Sequence, residues 1–315
     1  MDKPMDVLRD FPVRKTKKQK EQFRAAVRSY AELLGYSYQE EPGSFGSRNV
    51  LLGNPEQAKL LITAHYDTCA HLPFPNYITP CNPVLFALLQ LLIAVPMCAV
   101  VIGAAVLALW LTDSFAVYFA CLYGMLILMI WLMMLGPANR HNANDNTSGV
   151  VTVLETAQSL PSDLRNQVCF VLFDLEEAGL IGSSSYRKKH CQAIKNQLML
   201  NLDCVGDGDE IVLFPSKAVK RDEALLQCLR ASCLPVGKKV TSIREKGFAL
   251  YPSDQMGFPM GVGIAALHRS EWAGLYLGRI HTNRDTILEQ ENVNLLRELL
   301  IRVVSGCAND NRKDI

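Results

Sequence analysis

Residues 171–183 read VLFDLEEAGLIGS, an apolar run with the pattern of a buried strand that meets three carboxylates in four positions: Asp174, Glu176 and Glu177. Like charges this close repel, and burying even one unpaired carboxylate costs free energy or shifts its pKa. Either the strand emerges into water and the acids form a solvated turn, or a cation compensates them. In the second case Glu176 and Glu177 cannot share one task, because successive side chains leaving a strand point in opposite directions. One holds a cation and the other stands above it as a base. That arrangement demands histidines and further acids from other strand ends.

The sequence supplies them. ITAHYDT (62–68) ends an apolar run with His65 and Asp67, an H-x-D spacing that puts both side chains on one face, so Asp67 can orient the imidazole of His65. NANDNTSGVVTVLETA (142–157) sets Asp145 in an Asn-rich turn before an amphipathic helix. LNLDCVGDGD (200–209) ends another run at Asp203, and GRIHTNRDT (278–286) offers His281 with Asp285 four residues later. Each alone has an ordinary explanation as a helix-entry turn or a satisfied strand end. Together, two histidines, three carboxylates and a spare Glu form a donor set for a pair of divalent cations.

These residues need elements to position them. TKKQKEQFRAAVRSYAELLG (16–35) reads as an amphipathic helix ending at Gly35. Strands are expected over 59–67, 167–174, 198–206, 210–216 and 262–269, mostly apolar on both faces, and helices over 148–159, 219–233 and 289–305. Strands alternating with helices predict an α/β three-layer sandwich, its central sheet mixed, mostly parallel and flanked by helices. In such folds sites gather at the carboxyl ends of the strands, where the polar residues of this chain fall.

The chain has 315 residues and a formal net charge of +1, which leaves no electrostatic footprint for nucleic acid. Its apolar content, 49% overall, is unevenly spread. From Pro83 to Asn139 the only Asp, Glu, Lys, Arg or His is Asp113. Within that stretch, residues 84–111 and 115–135 are apolar runs separated by Thr112, Asp113 and Ser114. A bilayer core needs roughly 20 apolar residues as helix, and neither run shows the polar face of a core helix. The expectation is a transmembrane hairpin over 83–136, inserted in a catalytic domain of 1–82 and 137–315, with lipid contact through 84–135. The first run exceeds the bilayer core, so tilt or a kink at Pro96 is expected. The N-terminus lacks the apolar segment of a signal peptide. Arg14, Lys15, Lys17, Lys18 and Lys20 precede the spans, Arg140 follows them, and the connecting loop has no Lys or Arg, so both flanks are expected in the cytoplasm. Among ten cysteines no C-x-x-C pair occurs, and reduced structural thiols are expected.

The ordered motifs AHYD, ANDNTSG, FDLEEAGLIGS, NLD and SD…HTNRDT resemble the zinc aminopeptidases of metallopeptidase family 28, over roughly residues 20–70 and 138–305. The resemblance implies a mixed eight-stranded sheet between helices. It implies two zinc ions, one on His65, Asp203 and a bridging Asp145, the other on His281, Glu177 and the same Asp145. Glu176 is the implied general acid/base. Oxygen and nitrogen donors without thiolate suit a hydrolytic zinc site that keeps a position open for water. Two metals about 3.5–4 Å apart can share that water, and a carboxylate outside the donor set can take its proton. YPSDQMGF (251–258) departs from the family, with Gln255 where many relatives have His, so this segment is assigned no ligand; Tyr251 is a candidate to polarise the substrate carbonyl. His71, His141, His190 and His268 are expected outside the donor set.

Peptide is the implied substrate. Glutaminyl cyclases, one-zinc acyl-transfer enzymes sharing HYD and FD-x-EEA, are the first alternative; Asp145 within NDN argues for two metals. A non-catalytic scaffold would have lost donors that are all present here. A metal transporter would need carboxylates or histidines inside the spans, and there are none.

Overall fold

The computed structural model describes residues 1–235 and 237–309. In chain order its elements are α1 Asp6–Asp10, α2 Lys17–Leu34, β1 Tyr38–Pro42, β2 Arg48–Leu52, β3 Leu60–His65, α3 Pro83–Thr112 and α4 Phe115–Leu135. There follow α5 Gly149–Ser159, β4 Val168–Phe173, α6 Ile181–Lys189, β5 Leu198–Leu202, β6 Glu210–Pro215, α7 Lys217–Arg221 and α8 Glu223–Ser232. The chain closes with β7 Val240–Ile243, β8 Gly261–Ser270, β9 Gly274–Tyr276 and α9 Gln290–Asn309.

The strands form one mixed sheet in the order β1-β2-β4-β3-β5-β8-β6-β7, with β9 paired to β8. Among the described residues it therefore has nine strands rather than the eight the family resemblance implies. The central four, β4, β3, β5 and β8, run parallel, so their carboxyl ends share one edge. Antiparallel β1 and β2 extend the sheet beyond β4, and β6 joins β8 antiparallel on the other side.

Period-two alternation divides the interior. Leu60, Ile62 and Ala64 of β3 and Val168, Phe170 and Leu172 of β4 join the large core packed with α2, α5 and α9. Their neighbours Leu61, Val171 and Phe173 face a smaller core with Tyr186 of α6 and Phe258. Both faces are covered, which explains the unbroken apolar runs.

The predicted helices form with local signals in place. Thr16 and Gln19 make a capping box on α2, and Gly35 ends it in the left-handed conformation. The helix expected over 219–233 divides into α7 and α8 at Asp222, whose side chain caps α8 by accepting from Leu225 N–H. The short strands β1, β7 and β9 carry too few apolar residues to stand out in the sequence, and in β2 the apolar run is only Val50, Leu51 and Leu52.

Helices α3 and α4 pack on each other as an antiparallel pair outside this core. Only Val101 and Ala105 of α3 are buried, and no residue of α4 is. Trp110 is 78% exposed and Leu92 71%. Among the described residues these are the two helices long and apolar enough to cross a bilayer. Their feet are stitched to the domain. Ala70 bridges Ala138, His71 N–H donates to Pro137 O at 2.8 Å, and Ile78 bridges Leu277.

Candidate metal centre

Five segments gathered at the carboxyl edge of the central strands build the site. β3 ends on His65, which is 1% exposed, and β5 is followed directly by Asp203. Asp145 lies in the irregular turn before α5, with non-helical φ −112° and ψ 94°. Its two neighbours lock it there. Asn144 Oδ1 accepts from Gly206 N–H at 2.7 Å and Asp207 N–H at 3.2 Å, while Asn146 Nδ2 donates to Leu202 O at 2.9 Å. Asp285 completes the clamp, its carboxylate accepting Asn144 N–H at 2.7 Å and Asp145 N–H at 3.0 Å.

The Glu pair leaves β4 on a turn, not on a continuing strand. Leu175 takes φ +56°, and Asp67 accepts the backbone N–H groups of both Glu176 (3.0 Å) and Glu177 (3.2 Å). Asp67 also lies 3.5 Å from His65 Nδ1, so the carboxylate that holds the Glu turn sits beside the imidazole. Gly182, at the start of α6, lets the helix close under the turn, since a Cβ there would meet Asp174 O at 2.2 Å.

The result includes two donor groups that share Asp145, beside a third set in which His65, Glu176 and Glu177 also bring ligand atoms within 4.8 Å of one another. His65 Nε2 is 3.3 Å from Asp145 Oδ1 and 3.6 Å from Asp203 Oδ1. His281 Nε2 is 3.0 Å from Asp145 Oδ2 and 3.4 Å from Glu177 Oε2. Donors on a tetrahedral zinc with bonds of about 2.0–2.1 Å lie about 3.3 Å apart, so these separations fit a cation at each group. Glu177 Oε1 and both oxygens of Asp254 are buried without a hydrogen-bond partner, further room for positive charge.

Seven carboxyl groups, from Asp67, Asp145, Glu176, Glu177, Asp203, Asp254 and Asp285, crowd two imidazoles. Burial, followed by neighbouring acids, holds Glu176 well above the usual carboxylate range and pushes Glu177 up to about 8. Burial likewise lifts Asp254 and Asp285 to about 7. Burial opposes ionisation of Asp145 as well, but His281 and His65 outweigh it and hold that carboxyl low. His281 rises to about 9 because Glu177 and Asp145 overcome its burial. This is a site short of positive charge.

A cavity of about 330 Å³ opens onto these donors. Its walls include Asn76 and Ile78 before α3, Met134 in the last turn of α4, Leu180, Tyr251 and Ile280. Tyr251 donates its hydroxyl to Asp203 O at 3.0 Å. Gln255 is bound to Asn201 Nδ2 and Tyr251 O, outside the donor groups. His71 and His141 are exposed, His190 sits between Glu41 and Glu56, and His268 lies on Asp207; none enters the groups.

Asp174 has a different partner. Lys20 Nζ meets its Oδ1 at 2.5 Å in a buried ion pair. Arg14 is fully buried, its guanidinium donating to Tyr66 O, Phe11 O and Thr147 Oγ1 between the loops of Asp67 and Asp145. Two of the five basic residues that precede the spans, Arg14 and Lys20, are thus interior pins. Cys69 is a second surprise: its sulfur lies within 4.8 Å of donor atoms of Asp145, Glu177 and His281. Nothing in the sequence distinguishes it from the other nine cysteines.

Fold and site together define an α/β protein with paired imidazole–carboxylate donor groups at the carboxyl edge of a mostly parallel sheet. The chain belongs to peptidase family M28, whose model matches residues 128–302, more than half of its length. No curated protein matches the sequence. Among solved structures, the LapA aminopeptidase of Legionella pneumophila is 13% identical with a TM-score of 0.59, covering 98% of this chain and 71% of LapA. Glutaminyl cyclases of Macrostomum lignano and Tannerella forsythia have TM-scores of 0.56 and 0.53 at 12% and 15% identity. They cover 97% and 93% of this chain, and 88% and 93% of their own. At such identities the likeness is one of fold.

Proposed function

We propose that this M28 protein is a membrane-anchored, zinc-dependent aminopeptidase that removes N-terminal residues from peptides. The carrying observation is Asp145, whose two oxygens face different imidazoles, His65 at 3.3 Å and His281 at 3.0 Å. A carboxylate shared between two donor groups favours two zinc ions per chain, one on His65, Asp145 and Asp203, the other on His281, Asp145 and Glu177. When bound, the ions supply Lewis acidity and lower the pKa of a shared water. Glu176, outside both groups, accepts the proton of the attacking water and hands it to the leaving amine. Asp67 acts through others, holding His65 and the Glu turn. Tyr251 is the proposed substrate contact, turning its hydroxyl from Asp203 O to the substrate carbonyl.

Residues 1–82 and 137–315 form the catalytic domain in this reading, and the hairpin over 83–136 enters the bilayer with both flanks cytoplasmic. A reporter cysteine replacing Ser114 is expected to label from outside the cell, and one replacing Ser162 only after permeabilisation. Labelling of the Ser162 reporter in intact cells inverts the topology.

The similarity to two glutaminyl cyclase structures favours a second reading, zinc-dependent cyclisation of N-terminal glutamine. Metal content measured alongside peptide turnover separates the two. An aminopeptidase carries about two zinc ions, releases the first residue of unblocked peptides, spares N-acetylated ones and leaves N-terminal glutamine uncyclised. One zinc per chain with pyroglutamate formation overturns it.

A further inference from the structure

We infer that Cys69 is a fourth protein donor at the second cation position, so that His281, Glu177, Asp145 and Cys69 together make a thiolate-containing zinc site. The inference rests on the two-cation reading above and extends it with a donor outside the family pattern.

Geometry carries it. Cys69 is wholly buried, and its sulfur and one donor atom each of Asp145, Glu177 and His281 all lie within 4.8 Å of one another. The backbone around it is pinned on both sides. Cys69 O accepts Asn139 N–H at 3.0 Å and Ala70 bridges Ala138. Thr68 Oγ1 accepts from Arg14 N–H at 2.9 Å and from Asn142 Nδ2 at 2.8 Å. A second, independent feature points the same way. The Glu177 side chain is nine-tenths buried, with 10% exposed, and its Oε1 has no hydrogen-bond partner.

The other group is built differently. His65, Asp145 and Asp203 have no sulfur among them, and the nearby Cys204 thiol donates to Asp203 Oδ1 at 3.2 Å. Cys204 is thus a hydrogen-bond donor to a carboxylate rather than a free donor to a metal. The two positions are therefore chemically unequal: one offers only oxygen and nitrogen, the other adds sulfur. Zinc accepts thiolate at about 2.3 Å beside imidazole and carboxylate. Sulfur donors favour soft or borderline cations over manganese and magnesium. On binding, the S–H proton leaves to solvent and the sulfur lone pair goes to the cation. Four protein donors make the second position the more retentive of the two, and the three-donor position the more readily emptied.

Cobalt(II) reads this directly, because a thiolate on cobalt gives a near-ultraviolet charge-transfer band that oxygen and nitrogen donors do not. Full-length protein in detergent is stripped of metal and titrated with cobalt, with metal content measured on the same samples. Wild type and Cys204→Ser are expected to hold two cobalt ions and to show the band. Cys69→Ser and Cys69→Ala are expected to lack it. Two bound cobalt ions with no band in wild type overturn the inference without touching the variants. So does a band that survives in both Cys69 variants. Cobalt content well below two per wild-type chain counts instead against the two-cation reading, whatever the spectrum.

Discussion

The α/β domain and the apolar hairpin solve opposite problems with similar residues. In the domain, Leu, Ile, Val and Phe turn inward on both faces of the sheet, and charged groups line one edge. In α3 and α4 the same residue types turn outward, and the pair shelters almost nothing. A helix satisfies its own backbone hydrogen bonds, so an apolar exterior costs little once lipid replaces water. In water an apolar surface of that extent is a liability. If the hairpin enters a bilayer as proposed, burial is set by the solvent each region meets, not by composition. The regions touch where it matters: Met134, from the foot of α4, lines the cavity above the donors.

Metal removal should affect the two regions most unequally. Chelation is expected to abolish activity and lower the unfolding temperature, since the acidic cluster is left uncompensated, while membrane retention is unchanged. Zinc should restore both activity and stability. A chelated protein that unfolds at the same temperature would break the reading of the site as short of positive charge.

Within the site, Glu176→Gln is expected to keep its metal and lose roughly 10²–10⁴-fold in kcat, the usual worth of a general base. Glu177→Ala should lose metal as well. Equal metal loss in both variants would show the roles to be misassigned.

Matched truncations test the packing contrast by denaturant unfolding in detergent. Phe170→Ala, deep in the larger core, should cost about 3–5 kcal/mol, and Lys20→Met, which leaves Asp174 buried and unpaired, a similar amount. Leu92→Ala in the hairpin should stay within about 0.5 kcal/mol. A large loss at Leu92 would mean that α3 packs on a surface the fold does not reveal.

The smallest effect concerns pH. Burial opposes the charge on His190, but hydrogen bonds to Glu41 and Glu56 outweigh it and raise its pKa. The stabilisation is fully present below the unfolded value of about 6.5 and is lost as pH rises through the folded one. Glu41 is held below the usual carboxylate range because His190 and Lys189 outweigh its burial, so its contribution fades as pH falls through that lowered value. His190→Gln should flatten the alkaline side of a stability–pH curve while leaving metal content alone.

What the sequence by itself determined were features carried by short windows. The central strands, the end of α2 at Gly35 and the two long apolar runs are legible in single windows, because periodicity and helix termination are local patterns. His65, Asp145, Glu177, Asp203 and His281, by contrast, each have an ordinary explanation alone and point to a metal only as an ordered set. Tertiary structure alone decided what those residues meet. Lys20 and Asp174 pair across 154 positions, Arg14 reaches Thr147 across 133, and Asp285 holds the backbone of Asp145 across 140. Cys69 gains its meaning only when the segment entering the hairpin closes against the segment leaving it. The physical reason is the same in each case. A charge or thiol is functional through its neighbours, and in a sheet whose central strands are parallel, those neighbours come from distant stretches of chain.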